Sequence, residues 1–392
     1  MLTFKNFLGI NNVVPTERLM HDPESAASEL VEATNVDIGL TGEVRRRSGY
    51  AERVDTCHKN IHQAKGFMLA TVDGGDLISM DSSGANRITL YPSLGVSRVW
   101  YCNLPDGRTT FSNGLICGVT DGSAATTWGV PIPASVGSLT AVAGDLFPGD
   151  YQYQITYVRL SDGLEGGAAY SIPHAVPNGG ITLTGLPTLD GHKINVYLTS
   201  HDGDHAFLAG STTGSTFSFT GANDTLILPC RTDYLYPAPA GTVQAFYGSR
   251  MLAAVDSVLY ASRPNGWELF DIRRDFKQFG APITLIQPVD DGVYVGTENE
   301  LAFLAGTEFD KLTYRKVAGP VVLGSGVEVD GSLVKGGSGT AMLCIADGVI
   351  CAGFNGGNLV RMTEGRYQTD ATEVAATFRM IDRIPQYIAV PQ

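Results

Sequence analysis

The chain has 392 residues, of which 17% are charged and 43% hydrophobic, and its formal net charge is −13. This length exceeds the range in which a single hydrophobic core usually stops growing, so two domains are expected. The excess of carboxylates argues against a protein that grips nucleic acid, because affinity for DNA comes mainly from Lys and Arg. The same excess is compatible with the wall of a channel through which DNA slides, because repulsion between charges is screened beyond roughly 8–10 Å at physiological salt.

Several functional classes have no support in the sequence. The N-terminus lacks a basic start followed by a continuous apolar stretch, which predicts no signal peptide. No apolar run approaches the roughly 18 residues of a membrane-spanning helix. The six cysteines form no CxxC pair, which favours reduced core thiols in a cytoplasm over disulfides. Neither GxSxG, HExxH nor a Gly-rich phosphate loop occurs, so we predict no catalytic centre and no cofactor.

The first elements along the chain are a helix candidate and a basic run. Residues 25–33 (SAASELVEA) follow Asp22, Pro23 and Glu24, which supply a cap candidate and an acidic first turn, so we expect one short helix here. Arg45-Arg46-Arg47 is the only basic run. Contact with DNA phosphates or an acidic partner subunit is one interpretation. Ion pairing with the chain's own forty carboxylates is the favoured one.

A loose repeat indicates a β-propeller. Asp-Gly, a strong hairpin signal between apolar runs, occurs nine times. Units of apolar strand, tight turn and apolar strand begin at Gly66, Thr109, Ser249, Ile283 and Ala341. Apart from one long gap, their starts are separated by roughly 35–60 residues, near the spacing of four-stranded blades. We therefore predict an all-β chain with a β-propeller of about five, possibly six, blades, in which these apolar strands lie inside each blade.

The gap between the second and third units predicts an inserted β-sandwich. Tyr151, Tyr153, Ile155 and Tyr157 alternate with polar residues, as in a half-buried strand. About 100 residues with seven or so short strands match an immunoglobulin or fibronectin type III sandwich. Pro-rich segments on both sides indicate two hinges of an insertion. The predicted regions are an arm with the first blades (1–137), the insert (138–238), and the remaining blades with a closing strand (239–392).

Four small constellations have both a chemical and an ordinary interpretation. Cys57-His58 with His62 lacks a fourth metal ligand nearby, and His201–His205 surrounds an Asp-Gly turn, so loops are favoured over metal sites. Residues 81–84 nearly spell the Asp box of sialidase propellers, but a plain turn is favoured. Trp267, in an Arg-Pro-Asn-Gly-Trp turn, is a candidate for a subunit contact or for blade packing, and the sequence does not separate these two.

Several stretches resemble one protein family. NFLGINNVVPTERL (6–19), ATNVDIGLTGEVRRRSGY (33–50), VLYASRPNGWELFD (258–271) and RMIDRIPQYIAVPQ (379–392) are similar to tail nozzle and tail accessory proteins of short-tailed bacteriophages, also described as tail tube or packaged-DNA stabilisation proteins. The resemblance implies a virion structural protein that forms a homohexameric ring below the portal and adaptor rings. Double-stranded DNA would pass through it without specific binding during ejection, and tail fibres or spikes would be partners.

We therefore expect a non-enzymatic tail nozzle subunit, assembled in the bacterial host cytoplasm, that extends and gates the DNA exit channel. Arg45, Arg46, Arg47 and Trp267 are its candidate DNA or subunit contacts. The alternative is a propeller protein that binds or cleaves host-surface glycans, either as an adhesion module or as a glycosidase. Such a glycosidase would need clustered carboxylates.

Overall fold

A computed structural model describes residues 6–22, 24, 27–39, 42–47, 49, 51–52, 56–72, 74–334, 337–381 and 383–392. These residues form β-strands and short 3₁₀ turns, with no α-helix among them. The 3₁₀ turns lie at Thr16–Arg18, Asn223–Thr225, Phe309–Lys311, Gly331–Leu333 and Asn355–Gly357. None of the described segments is a helix long and apolar enough to span a bilayer.

The first strands form a small N-terminal arm, defined here as the described residues of 6–57. Its strands are β1 Asn6–Ile10, β2 His21–Asp22, β3 Ala27–Leu30, β4 Val36–Ile38 and β5 Val44–Arg46. β3 lies between β1, to which it is parallel, and β2, to which it is antiparallel, while β4 pairs with β5.

The helix predicted over 25–33 is wrong for the described part of this segment, because Ala27–Leu30 is a strand. Ala, Glu and Leu favour helices in isolation, but pairing on both edges supplies backbone hydrogen-bond partners, and such tertiary context overrides propensity. The Ser28 hydroxyl also contacts Nδ1 of His21 on the neighbouring strand at 2.7 Å. Ser25 and Ala26 lie outside the described residues.

Five antiparallel sheets, each a run of four consecutive strands, follow the arm and flank the insert. The first two comprise β6 His58–Gln63, β7 Met68–Val72, β8 Leu77–Met80, β9 Ile88–Tyr91, β10 Trp100–Asn103, β11 Thr109–Ser112, β12 Cys117–Thr120 and β13 Ala125–Thr127. The insert contains β14 Ser138–Ala143, β15 Gly149–Tyr151, β16 Tyr153–Arg159, β17 Glu165–Tyr170, β18 His174–Val176, β19 Gly179–Thr184, β20 His192–Thr199, β21 Ala206–Thr212 and β22 Thr216–Phe219.

The other three sheets follow the insert, and the third has an extra strand, β27, on β25. They comprise β23 Gln244–Tyr247, β24 Arg250–Val255, β25 Val258–Arg263, β26 Gly266–Phe270, β27 Phe276–Gln278, β28 Ile283–Val289, β29 Gly292–Thr297, β30 Leu301–Ala305, β31 Thr313–Ala318, β32 Val327–Asp330, β33 Thr340–Ala346, β34 Val349–Phe354 and β35 Asn358–Arg361. A two-stranded hairpin of β36 Val374–Ile381 and β37 Ile384–Pro391 ends the chain.

The five sheets are the blades of a β-propeller, because four apolar clusters each pack one sheet against the next. One cluster joins Leu69 and Leu77 of blade 1 to Phe111 of blade 2. Further clusters join blade 3 to blade 4 and blade 4 to blade 5. Each predicted repeat unit falls in one blade, and strands such as β29 are buried along their whole length, as expected for strands packed on both faces. The prediction of an all-β propeller with an inserted sandwich is confirmed.

The C-terminal hairpin occupies the place where a sixth blade would stand. Phe378 and Tyr387 pack on the cluster of blade 5, and the Tyr387 hydroxyl donates to the Ser325 carbonyl at 2.7 Å. On the side of blade 1, Arg98 forms an ion pair with Glu373 at 2.9 Å and donates to the Val374 carbonyl at 3.0 Å. The last strands of the chain are thus tied to the segment between blades 1 and 2.

The insert is a two-sheet sandwich between blades 2 and 3. One sheet has the order β14-β19-β22 and the other β17-β16-β20-β21. Tyr153, Ile155 and Val196 of the second sheet and Ile181 of the first belong to one buried cluster between them. The predicted limits of the insert, residues 138 and 238, enclose all of these strands.

Candidate functional site

The predicted basic contact lies on the surface of the arm. Arg45 pairs with Glu43 at 3.0 Å, and Arg47 pairs with Asp37 on the neighbouring strand at 3.4 Å. Arg46 is exposed and has no ion pair with any described residue. The ion pairing favoured from the sequence is therefore present at two of the three arginines. A contact of this run with DNA or a partner stays a prediction.

Trp267 lies on β26 of blade 3 and is half-buried. Its ring contacts Phe246 edge to face with centroids 5.3 Å apart, and its Nε1 donates to the Ser249 carbonyl at 3.1 Å. Its own carbonyl accepts a hydrogen bond from Nε1 of Trp128 at 3.0 Å. The indole thus packs within the blade, while a role in a subunit contact stays a prediction.

The arm differs from the rest of the chain in what it buries. Among its described side chains, only those of Asn11 and Ser28 are buried, and both are polar. Five large apolar side chains of the arm are exposed: Leu8, Val13, Met20, Val31 and Val44. The arm therefore has no apolar core of its own in the described residues.

Polar contacts hold the arm against blade 5. The Asn12 side chain donates to the Gln368 carbonyl at 2.8 Å and accepts from the Gln368 amide at 2.9 Å, while its backbone amide donates to the Arg366 carbonyl at 2.9 Å. Within the arm, the Glu29 carboxylate accepts from the Met20 amide and the Asn11 side chain, each at 3.1 Å. The Met20 amide, followed by Asn11, lowers the pKa of Glu29.

A buried carboxylate joins three parts of the molecule. Glu268 of blade 3 accepts from Arg108 of blade 2 at 2.8 Å and from Arg159 of the insert at 3.0 Å. The Gly129 amide donates to the same carboxylate at 3.2 Å. The hydrogen bond from Arg159 to Asp162 and the contact of Arg159 with Glu268 raise the pKa of Arg159. They act against the effect of burial, so the guanidinium stays charged.

Backbone contacts add to this junction between insert and propeller. Residues 220–243, here named the return segment, lead from the last strand of the insert to blade 3. A Cβ on Gly167 of β17 would lie 1.8 Å from the Leu235 carbonyl oxygen, so only glycine permits the return segment to pack here. Tyr236 and Phe270 exchange backbone hydrogen bonds of 2.9 Å. The second of the Pro-rich segments predicted as hinges, which begins at Pro237, is therefore fixed to the propeller.

A cavity that no sequence pattern predicted lies beside the return segment. It has a volume of about 500 Å³ and is lined by Gln152 and Gln154 of the insert and by Asp233 and Tyr234 of the return segment. The pattern that could have indicated the cavity lies at 151–157, where glutamines alternate with core tyrosines. A strand with one face in solvent gives the same alternation.

Two of the other predicted constellations form turns, whereas the loop predicted for Cys57-His58 with His62 is wrong, because His58 and His62 lie on strand β6 and pair with β7. The Asp81 carboxylate accepts from the amides of Ser83 and Ala85 at 2.8 and 3.1 Å, which closes a tight turn, as the sequence favoured over an Asp box. Residues 201–205 connect β20 to β21. No three His, Cys, Asp or Glu side chains of the described ranges are grouped to hold a metal ion. The six cysteines are free thiols, of which Cys57 is exposed rather than in a core.

Comparisons with known proteins show similarity to solved structures alone. No family model and no curated protein matches the chain. A streptogramin B lyase structure is 11% identical, over 86% of this chain and 94% of that chain, with a TM-score of 0.34. The Neurospora crassa Pan2 WD40 domain is 9% identical, over 86% of each chain, with a TM-score of 0.33. BBS1N, from its mercury-soaked complex with ARL6DN, is 11% identical, over 86% of this chain and 90% of that chain, with a TM-score of 0.37. Scores this low carry no argument about what the chain does.

Proposed function

We propose that the chain is a structural subunit of a homo-oligomeric ring, the tail nozzle or tail accessory ring of a short-tailed bacteriophage. The observation that carries the proposal is the N-terminal arm, which exposes five large apolar side chains and buries none among its described residues. Full burial of such a side chain contributes about 1.5–3 kcal/mol. A neighbouring subunit that covers the arm would supply the apolar burial that the single chain lacks.

The proposed mechanism is mechanical and involves no catalytic step. The arm contacts the next subunit, and the propeller with its fixed insert forms the body of the ring. The Glu268 network makes that body rigid, so that a rearrangement at the subunit contacts would move propeller and insert together. A formal charge of −13 suits a channel wall that does not retain DNA.

The test is to measure the assembly state of the purified full chain. Light scattering and electron microscopy of the protein, alone and mixed with its tail adaptor protein, are expected to show a ring with a central hole. Obligate interfaces of this kind bury roughly 2,000–5,000 Å². A protein that stays monomeric under both conditions would overturn the proposal.

A further inference from the structure

The cavity at the base of the insert, here named the junction pocket, has the form of a ligand site. Its volume of about 500 Å³ falls within the range of roughly 300–1,000 Å³ typical of small-molecule sites. It lies within the insert, between the sheet that contains β16 and the segment that returns to the propeller, so parts of the chain that are distant in sequence form its walls. The close contact between Gly167 and the Leu235 carbonyl fixes the two walls relative to each other.

Gln154 is the residue that points to a ligand. Its side chain lines the junction pocket, yet the residue is only 6% exposed. Its backbone is paired in the sheet, but its side-chain carboxamide makes no hydrogen bond with any described residue. Neighbouring buried polar groups on the same face of the sheet are satisfied; Asn195 and Tyr197, for example, both donate to Glu165. The Gln154 carboxamide is not among the fully enclosed unpaired groups, so it is accessible from the cavity, where its donor and its acceptor can both meet a ligand.

The opposite wall supplies an acceptor and aromatic surface. Asp233 accepts a hydrogen bond from the Tyr170 hydroxyl through Oδ1, which leaves Oδ2 for another donor. Tyr170 and Tyr234 stack with centroids 5.6 Å apart, and the Arg273 guanidinium lies 4.0 Å from the centre of the Tyr234 ring. These contacts fix the aromatic wall before any ligand arrives, which reduces the entropy that binding costs.

The chemistry of the walls selects the class of ligand. Asp233 borders the pocket, and a carboxylate disfavours phosphates and acidic sugars. Asp204 and His205, also in the lining, pair with each other at 2.5 Å. An amide that both donates and accepts, beside a carboxylate that accepts, matches adjacent hydroxyl groups, each of which donates and accepts. Aromatic rings pack on the apolar face of a sugar ring. We propose that the junction pocket binds a neutral saccharide, with Gln154 and Asp233 as its hydrogen-bond partners and the two tyrosines as its apolar wall.

The first experiment screens the full chain on a printed array of neutral and acidic bacterial surface saccharides. The strongest neutral saccharide is then titrated by calorimetry against the unmodified protein and two variants, Gln154→Leu and Asp233→Ala. Each variant removes a hydrogen-bonding group without adding bulk, and we expect each to weaken affinity at least tenfold. Gln287→Leu is the matched control, because Gln287 is half-buried in blade 4, outside the pocket, and affinity is expected to stay unchanged.

Binding of acidic saccharides alone, no binding of any saccharide, or equal affinity in all variants would overturn the proposal. Circular dichroism checks that Gln154→Leu folds. If this variant does not fold, the affinity of Asp233→Ala, at the pocket rim, tests the proposal. The inference is independent of the proposed ring, because the pocket residues are far in sequence from the arm. Variants that lose saccharide but keep their assembly state separate the two proposals.

Discussion

The N-terminal arm and the inserted sandwich are both small β-structures attached to the same propeller, yet they are stabilised by different means. The insert contains a buried cluster that includes Tyr151, Ile155 and Leu198, and charged residues fix its base. The arm contacts blade 5 through the amides of Asn12 and exposes its apolar side chains. A region with its own core is stable in the single chain, whereas a region without one depends on what covers it.

The largest effect should come from the core of the insert. Ile155→Ala removes a fully buried side chain and is expected to lower the free energy of unfolding by about 4 kcal/mol. Leu8→Ala, in the exposed arm, should change it by less than about 0.5 kcal/mol. Urea unfolding followed by circular dichroism measures both. Equal losses in the two variants would contradict the difference between the regions.

Loss of the ion pairs that join the insert to the propeller should have the next largest effect on the free energy of unfolding. Glu268→Ala leaves Arg108 and Arg159 without their shared carboxylate, and we expect a loss of about 2–3 kcal/mol. This is below the roughly 3–5 kcal/mol for breaking a fully buried pair, because Arg108 is about one third exposed. Glu300→Ala, which removes the partner of the exposed Lys316, is the control and should cost less than about 1 kcal/mol. A Glu268 variant as stable as this control would show that the junction is not held by charge.

Low pH should slightly weaken the ion pairs where the insert joins the propeller. Arg159 lowers the pKa of Asp162, so the stabilisation from this pair is complete above the usual aspartate pKa of 3.8 and is lost as pH falls through the lower value in the folded protein. Because Asp162 is about half exposed, the effect is at most about 1 kcal/mol. Unfolding measured between roughly pH 5 and pH 2, a range that extends below the usual aspartate pKa, should show this loss. Asp162→Asn should remove that component of the pH dependence, and an unaltered profile would refute the assignment.

The arm should affect assembly while leaving the single chain stable. The double variant Leu8→Ser and Val13→Ser is expected to change the free energy of unfolding of the monomer by less than about 0.5 kcal/mol. It should weaken ring formation at least tenfold, because it removes apolar surface from the proposed contact. Leu115→Ser with Ile172→Ser, two exposed apolar residues outside the arm, is the matched control. Mass photometry over a dilution series compares them, and equal assembly of both variants would exclude the arm as the contact.

Sequence patterns predicted the blades well and the arm poorly. The units that begin at Gly66 and Ala341 each became the inner strands of one blade, because local alternation and Asp-Gly turns specify hairpins without distant partners. In the arm, Ala27–Leu30 carries residues with helical propensity, and its partners β1 and β2 alone make it a strand. A segment without a dense apolar pattern takes its structure from its neighbours, which propensity does not report.

The junction pocket could not have been located from the sequence. Gln154 and Asp233 are separated by 79 positions along the chain, and each residue alone looks like an ordinary polar surface residue. The same holds for Glu268 and its two arginines, which are 160 and 109 positions away. Sites of this kind exist only where segments that are distant in sequence pack against each other.

The amino-acid sequence by itself determined the all-β class, the repeated hairpins and the place of the insert, because turns and two-residue periodicity act over short distances. Tertiary structure alone decided that the second Pro-rich segment is fixed, that Arg159 and Arg108 share a carboxylate, and that the arm buries no apolar side chain among its described residues. These features depend on which surfaces meet, and burial and ion pairing are properties of the packed molecule.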